Sequence, residues 1–276
     1  MVDGDVPAGL SLCRAAGWNQ TVEDWDLFLK LSPKGCCVAV DDDGQVRGTV
    51  ATVRYDHHFS WIGMVLVDPI FQRQGIGIQL LREALQILSD EDTVKLDATP
   101  AGRHIYVQLD FVDEYHISRM EHRGFSAGPP GAVSARPVTE NDLRRIVEFD
   151  QEVFGANRER VLKSLYRRDQ KLAFISEQDG VIKGYCFGRT GHTFTHIGPV
   201  VARDPNSATG VLTAALIASS GRPVCVDVLH HSPEWSRWLA SMGFAEQRPI
   251  IRMYRGNNDH PGTLTQQYAI LGPEFG

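Results

Sequence analysis

The sequence predicts an α/β chain, α+β in the arrangement of its elements, made of two tandem copies of one fold. Three observations predict it. The run "WIGMVLVDP" (61–69) returns as "HIGPVVARDP" (196–205), and "VKLD" (94–97) returns as "VCVD" (224–227). Each of these aspartates is followed by a short helical stretch that ends in "LDF" (109–111) or "MGF" (242–244). Self-similarity over a long period marks duplicated supersecondary structure. Between the copies lies "SAGPPGAVSA" (126–135), small, uncharged and rich in Pro and Gly, the composition of a linker. The expected halves are therefore 1–128 and 134–276.

The first half reads as helices at "AGLSLCRAAG" and "TVEDWDLFLKL", then strands "CCVAVDD", "QVRGTVATVRY" and "FSWIGMVLV", with "DDDG" as a hairpin turn. Apolar Leu80, Leu81, Ala84, Leu85 and Leu88 recur at a 3.6-residue period, which predicts a helix from Gly75 to about Leu88 packed on a sheet. Strand "TVKLDAT", a short helix in "GRHIYVQLD" and strand "FVDEYHISRM" follow. In the second half Thr139 caps a helix in "TENDLRRIVEFDQEVFG", "LAFISEQDGVIKGYCFGRT" forms a hairpin, and "FTHIGPVVA" is a strand.

A length of 276 residues with 42% hydrophobic content suits two ordinary globular domains. The net charge of -6 argues against partners such as nucleic acid or an anionic membrane surface. Five cysteines without a C-x-x-C pair fit neither a disulfide framework nor a zinc site, and with no leader-like amino terminus or 20-residue apolar run the expectation is a cytoplasmic protein. His192 and His196 stand four apart, but the Thr-Phe-Thr between them reads as strand, so no metal site is expected.

The informative stretch is "FQRQGIGIQLL" (71–81), a strand-to-helix turn with glycines at 75 and 77. A helix start exposes unpaired N–H groups and about half a positive charge, and glycines let a phosphate approach the backbone. The turn lacks the third glycine of a dinucleotide-binding loop and the G-K-[ST] of a Walker loop. By itself a G-x-G is also what a tight turn needs.

The turn resembles the acyl-CoA loop of the GNAT acetyltransferase superfamily, Q/R-x-x-G-x-G/A, at Gln72, Gly75 and Gly77 after a strand ending "VDP". With "AGWNQT", "VKLDATP", "HIGPVV" and "ILGPEFG" the chain is similar to tandem two-domain acetyltransferases of the YitH type. That resemblance implies a mixed, mostly antiparallel central sheet flanked by helices in each half. It implies acetyl-CoA, or another short acyl-CoA, as co-substrate. The backbone of a bulged strand at Val65, Leu66 and Val67 would bind the pantetheine, and Gln72, Arg73, Gln74, Gly75, Ile76, Gly77 and Ile78 would surround the pyrophosphate.

Acetyl transfer to an amine needs the neutral amine, which at a free pKa near 10 is roughly a thousandfold disfavoured at pH 7. By resemblance Tyr106 is the donor to the departing thiolate and Asp97 the base; otherwise Tyr106 is a hydrogen-bonded buried ring and Asp97 a helix cap. Trp18, Asn19, Tyr55 and Trp61 are the acceptor-pocket candidates, and the acceptor itself is expected to be a small-molecule amine. The second half reads "NSATGVL" (206–212) in place of the loop and is expected to bind CoA weakly or not at all. Asp110 stands where relatives place a left-handed Gly. The first half leaves little room for its first strand, so either the other half supplies an edge strand or that strand is absent. The leading reading is an N-acyltransferase that works by direct attack in a ternary complex. A non-catalytic acyl-CoA sensor and a tRNA-dependent aminoacyl transferase are the alternatives.

Overall fold

The computed structural model describes residues 1–124 and 135–276. All of the proposed linker except Ala135 therefore lies outside the described residues, and the division at 128/134 stays our proposal.

In the first half, helices α1 (Val6–Ala15) and α2 (Val22–Leu31) precede strands β1 (Cys36–Val40), β2 (Val46–Tyr55) and β3 (Phe59–Val67). Helix α3 (Ile76–Ile87), strand β4 (Thr93–Ala98), helix α4 (Pro100–Val107) and strand β5 (Val112–His122) complete it. The second half opens with the two-residue β6 (Arg136–Pro137), then α5 (Leu143–Phe154), α6 (Glu159–Arg168), β7 (Phe174–Gln178), β8 (Val181–Thr190) and β9 (Thr195–Ala202). It continues with α7 (Pro205–Ala218), β10 (Val224–Leu229), α8 (Pro233–Ser241), β11 (Ala245–Gly256) and β12 (Gln267–Ala269).

Local chemistry explains several boundaries. Asp24 and Asp142 each accept the backbone N–H of the threonine three residues earlier, Thr21 and Thr139, closing capping boxes. The α3 stripe is buried as its spacing predicts, with Leu80, Leu81 and Ala84 against Val50 and Ile62 of the sheet. Asp110 adopts φ 64°, and its counterpart in the other copy is Gly243 at φ 85°.

The strands form one sheet in the order β1-β2-β3-β4-β11-β5-β10-β12-β9-β8-β7-β6, mostly antiparallel, with β3/β4 and β9/β10 parallel. The two expected sheets are thus joined. They are joined by exchange: β11 of the second half pairs with β4 of the first, and β5 of the first pairs with β10 of the second. At the centre β5 and β11 run antiparallel with Ile117 opposite Ile250. One apolar core takes Trp25 and Phe28 from the first half together with Leu162 and Tyr185 from the second, so it spans the division.

β6 of the second half has no counterpart among the described residues of the first, where β1 is the edge. The Met1 ammonium donates to Cys36 O at 2.9 Å, just as the Val138 N–H donates to Ala173 O at 3.0 Å.

Candidate active site

β3 and β4 pair only at Ser60↔Val94 and Trp61↔Lys95, and beyond that point they part. A bulge sets the direction of β3. Its register against β2 shifts between Thr49 and Ala51, Met64 takes φ 55°, and Thr49 Oγ1 donates to Met64 O at 2.8 Å. Between the separated strands and the α3 turn lies a cavity of about 670 Å³. Val65, Val67, Gln72, Arg73, Gly75, Ile76, Gly77 and Ile78 line it. Leu66 and Gln74 do not: the Leu66 side chain is buried in the core that spans the halves, and Gln74 Nε2 donates back to Ile70 O.

The turn is built to leave donors free. Gly75, at φ 87°, starts α3 in the left-handed region, and no side chain caps the helix. The first N–H groups of such a helix have no intrahelical acceptor. A Cβ added to Gly77 would meet only Val67 Cγ2, at 3.5 Å, and its φ is not positive. Neither backbone strain nor protein packing therefore requires glycine at 77, although glycine inside a helix costs about 0.5–1 kcal/mol relative to Ala. The space in front of it suits a ligand phosphate, so these residues fit the acyl-CoA they resemble. The turn is braced by Gln72 Nε2 donating to Val67 O at 3.2 Å and by Arg47, which pairs with Asp68 and lies over the Phe71 ring.

Tyr106 and Asp97 both line the same cavity. Tyr106 packs edge-on to Phe111, with room given by Gly102, where a Cβ would meet the Tyr106 ring at 3.3 Å. Desolvation pushes its phenol up to about 12, which keeps it protonated. Asp97 is not the cap of α4; Thr99 is, accepting from the Gly102 N–H. Asp97 instead receives Arg252 Nε and Nη2, both at 2.8 Å, and its side chain is fully buried. Burial raises its carboxyl above the ordinary range against the pull of Arg252. With both oxygens engaged, Asp97 anchors Arg252, which also donates to Tyr115 Oη and stacks on Trp61.

Of the four acceptor candidates only Trp18 lines the cavity. The other three hold the halves together. Asn19 clamps the 191–194 loop, accepting the Thr193 and Phe194 N–H groups at 2.8 and 2.9 Å and donating to Phe194 O. Tyr55 Oη donates to Phe275 O, and Trp61 Nε1 donates to Pro273 O. These large aromatics read as pocket walls in the sequence, but their polar tips fasten the carboxy-terminal tail.

That tail, with the exchanged strands, supplies cavity residues that sequence reasoning missed, Arg119, Arg248, Ile250, Pro273 and Glu274, and the α1–α2 connection adds Gln20. One signal was present, since "ISRM" (117–120) repeats as "IIRM" (250–253) and places Arg119 and Arg252 at equivalent positions. Arg119 pairs with Asp227 as Arg252 pairs with Asp97. No such signal marks Glu274.

Comparison with known proteins agrees with this geometry. The acetyltransferase (GNAT) family profile matches residues 11–111, and an acetyltransferase (GNAT) domain profile matches residues 146–269. The chain belongs to the GNAT acetyltransferases, as a tandem of two such domains, and is an N-acetyltransferase. The Bacillus subtilis (strain 168) protein YitH, an uncharacterized N-acetyltransferase, is 22% identical over 269 residues, 97% of this chain and 94% of that one. A solved Pyrococcus horikoshii structure with a provisional acetyltransferase description superposes with a TM-score of 0.84 at 24% identity, covering 100% of this chain and 94% of that one. A tandem GNAT protein from the clavulanic acid biosynthesis pathway shares the fold with a TM-score of 0.61 at 14% identity, covering 91% and 94%. Among the described residues no helix is long and apolar enough to cross a membrane.

Proposed function

We propose that the first half binds acetyl-CoA, or another short acyl-CoA, and that the chain moves the acyl group to a primary amine of a small molecule by direct attack in a ternary complex. The observation that carries the reading is Gly77: the α3 start is uncapped, and the only residue type that leaves its backbone open stands where the protein has no use for it. The backbone at Val65 and Val67 and the N–H groups from Arg73 to Ile78 would hold the cofactor. When bound, it supplies an activated thioester.

The chain's own residues then do three things. The bulged β3 presents backbone groups to the cavity because β4 has turned away from them. Tyr106, protonated and facing the cavity, holds the proton that a departing thiolate takes up. Residues of both halves wall the cavity in which donor and acceptor would meet.

Calorimetry with acetyl-CoA and thiol release with a panel of amines test the reading together. Binding to the wild-type chain is expected, with turnover in Tyr106→Phe lower by roughly 10²–10⁴-fold and acetyl-CoA affinity retained. Unchanged turnover in that variant removes Tyr106 from proton transfer, and absence of binding removes the reading itself.

A further inference from the structure

Three residues that line the cavity each carry a buried polar atom without a partner in the described structure: Gln20 Oε1, Arg248 Nε and Glu274 Oε2. Unpaired buried polar atoms are costly, about 1–3 kcal/mol each and more when charged, so their convergence on one cavity needs a reason. Glu274 is the most telling. Its side chain is 1% exposed, and Oε1 is held by Arg189 while Oε2 is left open. Its backbone lies against Gly63 of the bulged strand, where a Cβ would meet Glu274 O at 2.6 Å, so the carboxylate is fixed beside the point at which β3 leaves β4.

The guanidinium groups around it are accounted for with one exception. Arg119 pairs with Asp227, Arg252 with Asp97, and Arg189 with Glu274 and Asp24. Arg248, opposite Arg119 in the β11–β5 ladder, has no ion-pair partner among the described residues. Burial and the Arg119 charge pull it below its ordinary pKa, a strain that an incoming anion relieves.

We propose that the acceptor is a small aminocarboxylate, with its ammonium held by Glu274 and its carboxylate by Arg248. This rests on the acyl-transfer reading above and names its substrate class. Glu274 Oε2 takes one proton from the ammonium, leaving the neutral amine, and Gln20 Oε1 accepts a second N–H. A single surplus guanidinium matches a singly charged carboxylate better than a dianionic phosphate, which the Glu274 charge would also repel.

The test is thiol release from acetyl-CoA with the common amino acids, the amide and the decarboxylated amine of each, and O-phosphoethanolamine. At least one free amino acid is expected to exceed its amide and its decarboxylated amine by roughly a hundredfold in kcat/KM. Arg248→Gln, which breaks no ion pair, should keep the melting temperature, raise KM for that amino acid roughly tenfold or more with kcat little changed, and erase the preference over the amide. Glu274→Gln should lower kcat for that amino acid by roughly a hundredfold or more with acetyl-CoA affinity retained. Preference for amines without a carboxylate or for phosphoethanolamine, preference that survives in Arg248→Gln, or rejection of every carboxylated amine by a chain that binds acetyl-CoA each overturns the proposal and leaves the acyl-transfer reading standing. A chain that does not bind acetyl-CoA loses both.

Discussion

In the first half, β3 and β4 separate after two paired residues and leave a cavity; in the second, β9 and β10 separate after Thr195↔Val224 and His196↔Cys225, and the chain's own β12 enters the gap. Gln267 and Ala269 pair with β9, Val228 pairs with Ala269, and the Ile270 N–H donates to Asp227 O. The helix starts differ in the same sense. α3 begins at an uncapped glycine, whereas α7 is capped by Asp204, which accepts the Ser207 N–H and puts a carboxylate where α3 leaves space. One fold thus builds the same split strand pair twice, fills one with polypeptide, and keeps one open. The strand that fills the second continues as the tail that brings Glu274 to the first.

The aspartates at the ends of β4 and β10 sharpen this comparison most. Asp227 is wholly buried yet held well below the ordinary carboxylate range by Arg119 and His196, whereas Asp97 has Arg252 alone, because Trp61 stands where the second copy has His196. Asp227→Asn leaves Arg119 buried without its carboxylate and is expected to cost about 3–5 kcal/mol in chemical denaturation. Asp97→Asn should cost less, about 1–3 kcal/mol, since Arg252 keeps Tyr115 Oη and its stacking on Trp61. The pH dependence of the two differs in sign. A carboxyl with a depressed folded pKa contributes stability that is fully present above its unfolded pKa, about 3.9, and is lost as pH falls toward the folded value. Asp227→Asn should therefore flatten the acid-side slope of stability below about pH 4. Asp97, whose folded value is raised by burial, contributes stability that is lost as pH rises through that value, so Asp97→Asn should leave this slope unflattened and steepen the rise just above about pH 4. Equal slopes in the two variants would show that the two copies are electrostatically alike.

A smaller effect on the fold is expected from reopening the second gap. Tyr268 of β12 packs edge-on against Trp235, which donates from Nε1 to Tyr268 O. Tyr268→Ala removes the ring but keeps that carbonyl, so about 3 kcal/mol is the expected loss. Acetyl-CoA stoichiometry by calorimetry should stay at one per chain, because Asp204 still caps α7. A second equivalent of ligand would mean that β12 alone separates an open notch from a closed one.

How far the sequence reaches follows the same division. Apolar periodicity located α3, and strand patterns with their turn signals located the hairpins, β3 and β9, because each depends on local sequence: Leu80, Leu81 and Ala84 can satisfy themselves only against a sheet. The exchange of β5 and β11 left no such trace, since "ISRM" and "IIRM" bury the same face whichever neighbour they pair with. For the site, the turn at Gly75 and Gly77 was legible because its chemistry is local backbone. Tyr55, Trp61 and Asn19 were misplaced because their partners lie 220, 212 and 175 residues away, on a tail and a loop that local patterns do not link to them. Glu274 was missed for the same reason.

The smallest change in the fold should come from making the first helix start resemble the second. In Gly77→Asp the new side chain enters open space, where only Val67 is near, and a carboxylate in the first turn of a helix is favoured by about 0.3–1 kcal/mol. The variant should be as stable as the parent, or slightly more so. Its carboxylate nevertheless faces the region that a diphosphate would occupy and competes for the same N–H groups, as Asp204 does in α7. Acetyl-CoA affinity should fall by roughly a hundredfold or more, the cost of setting like charges against each other in a partly desolvated site. Stability and affinity moving in opposite directions would separate a ligand-binding turn from a merely structural one. If the variant kept its affinity, the open start of α3 would not be where the phosphates rest, and the difference drawn between the two halves at this point would fail.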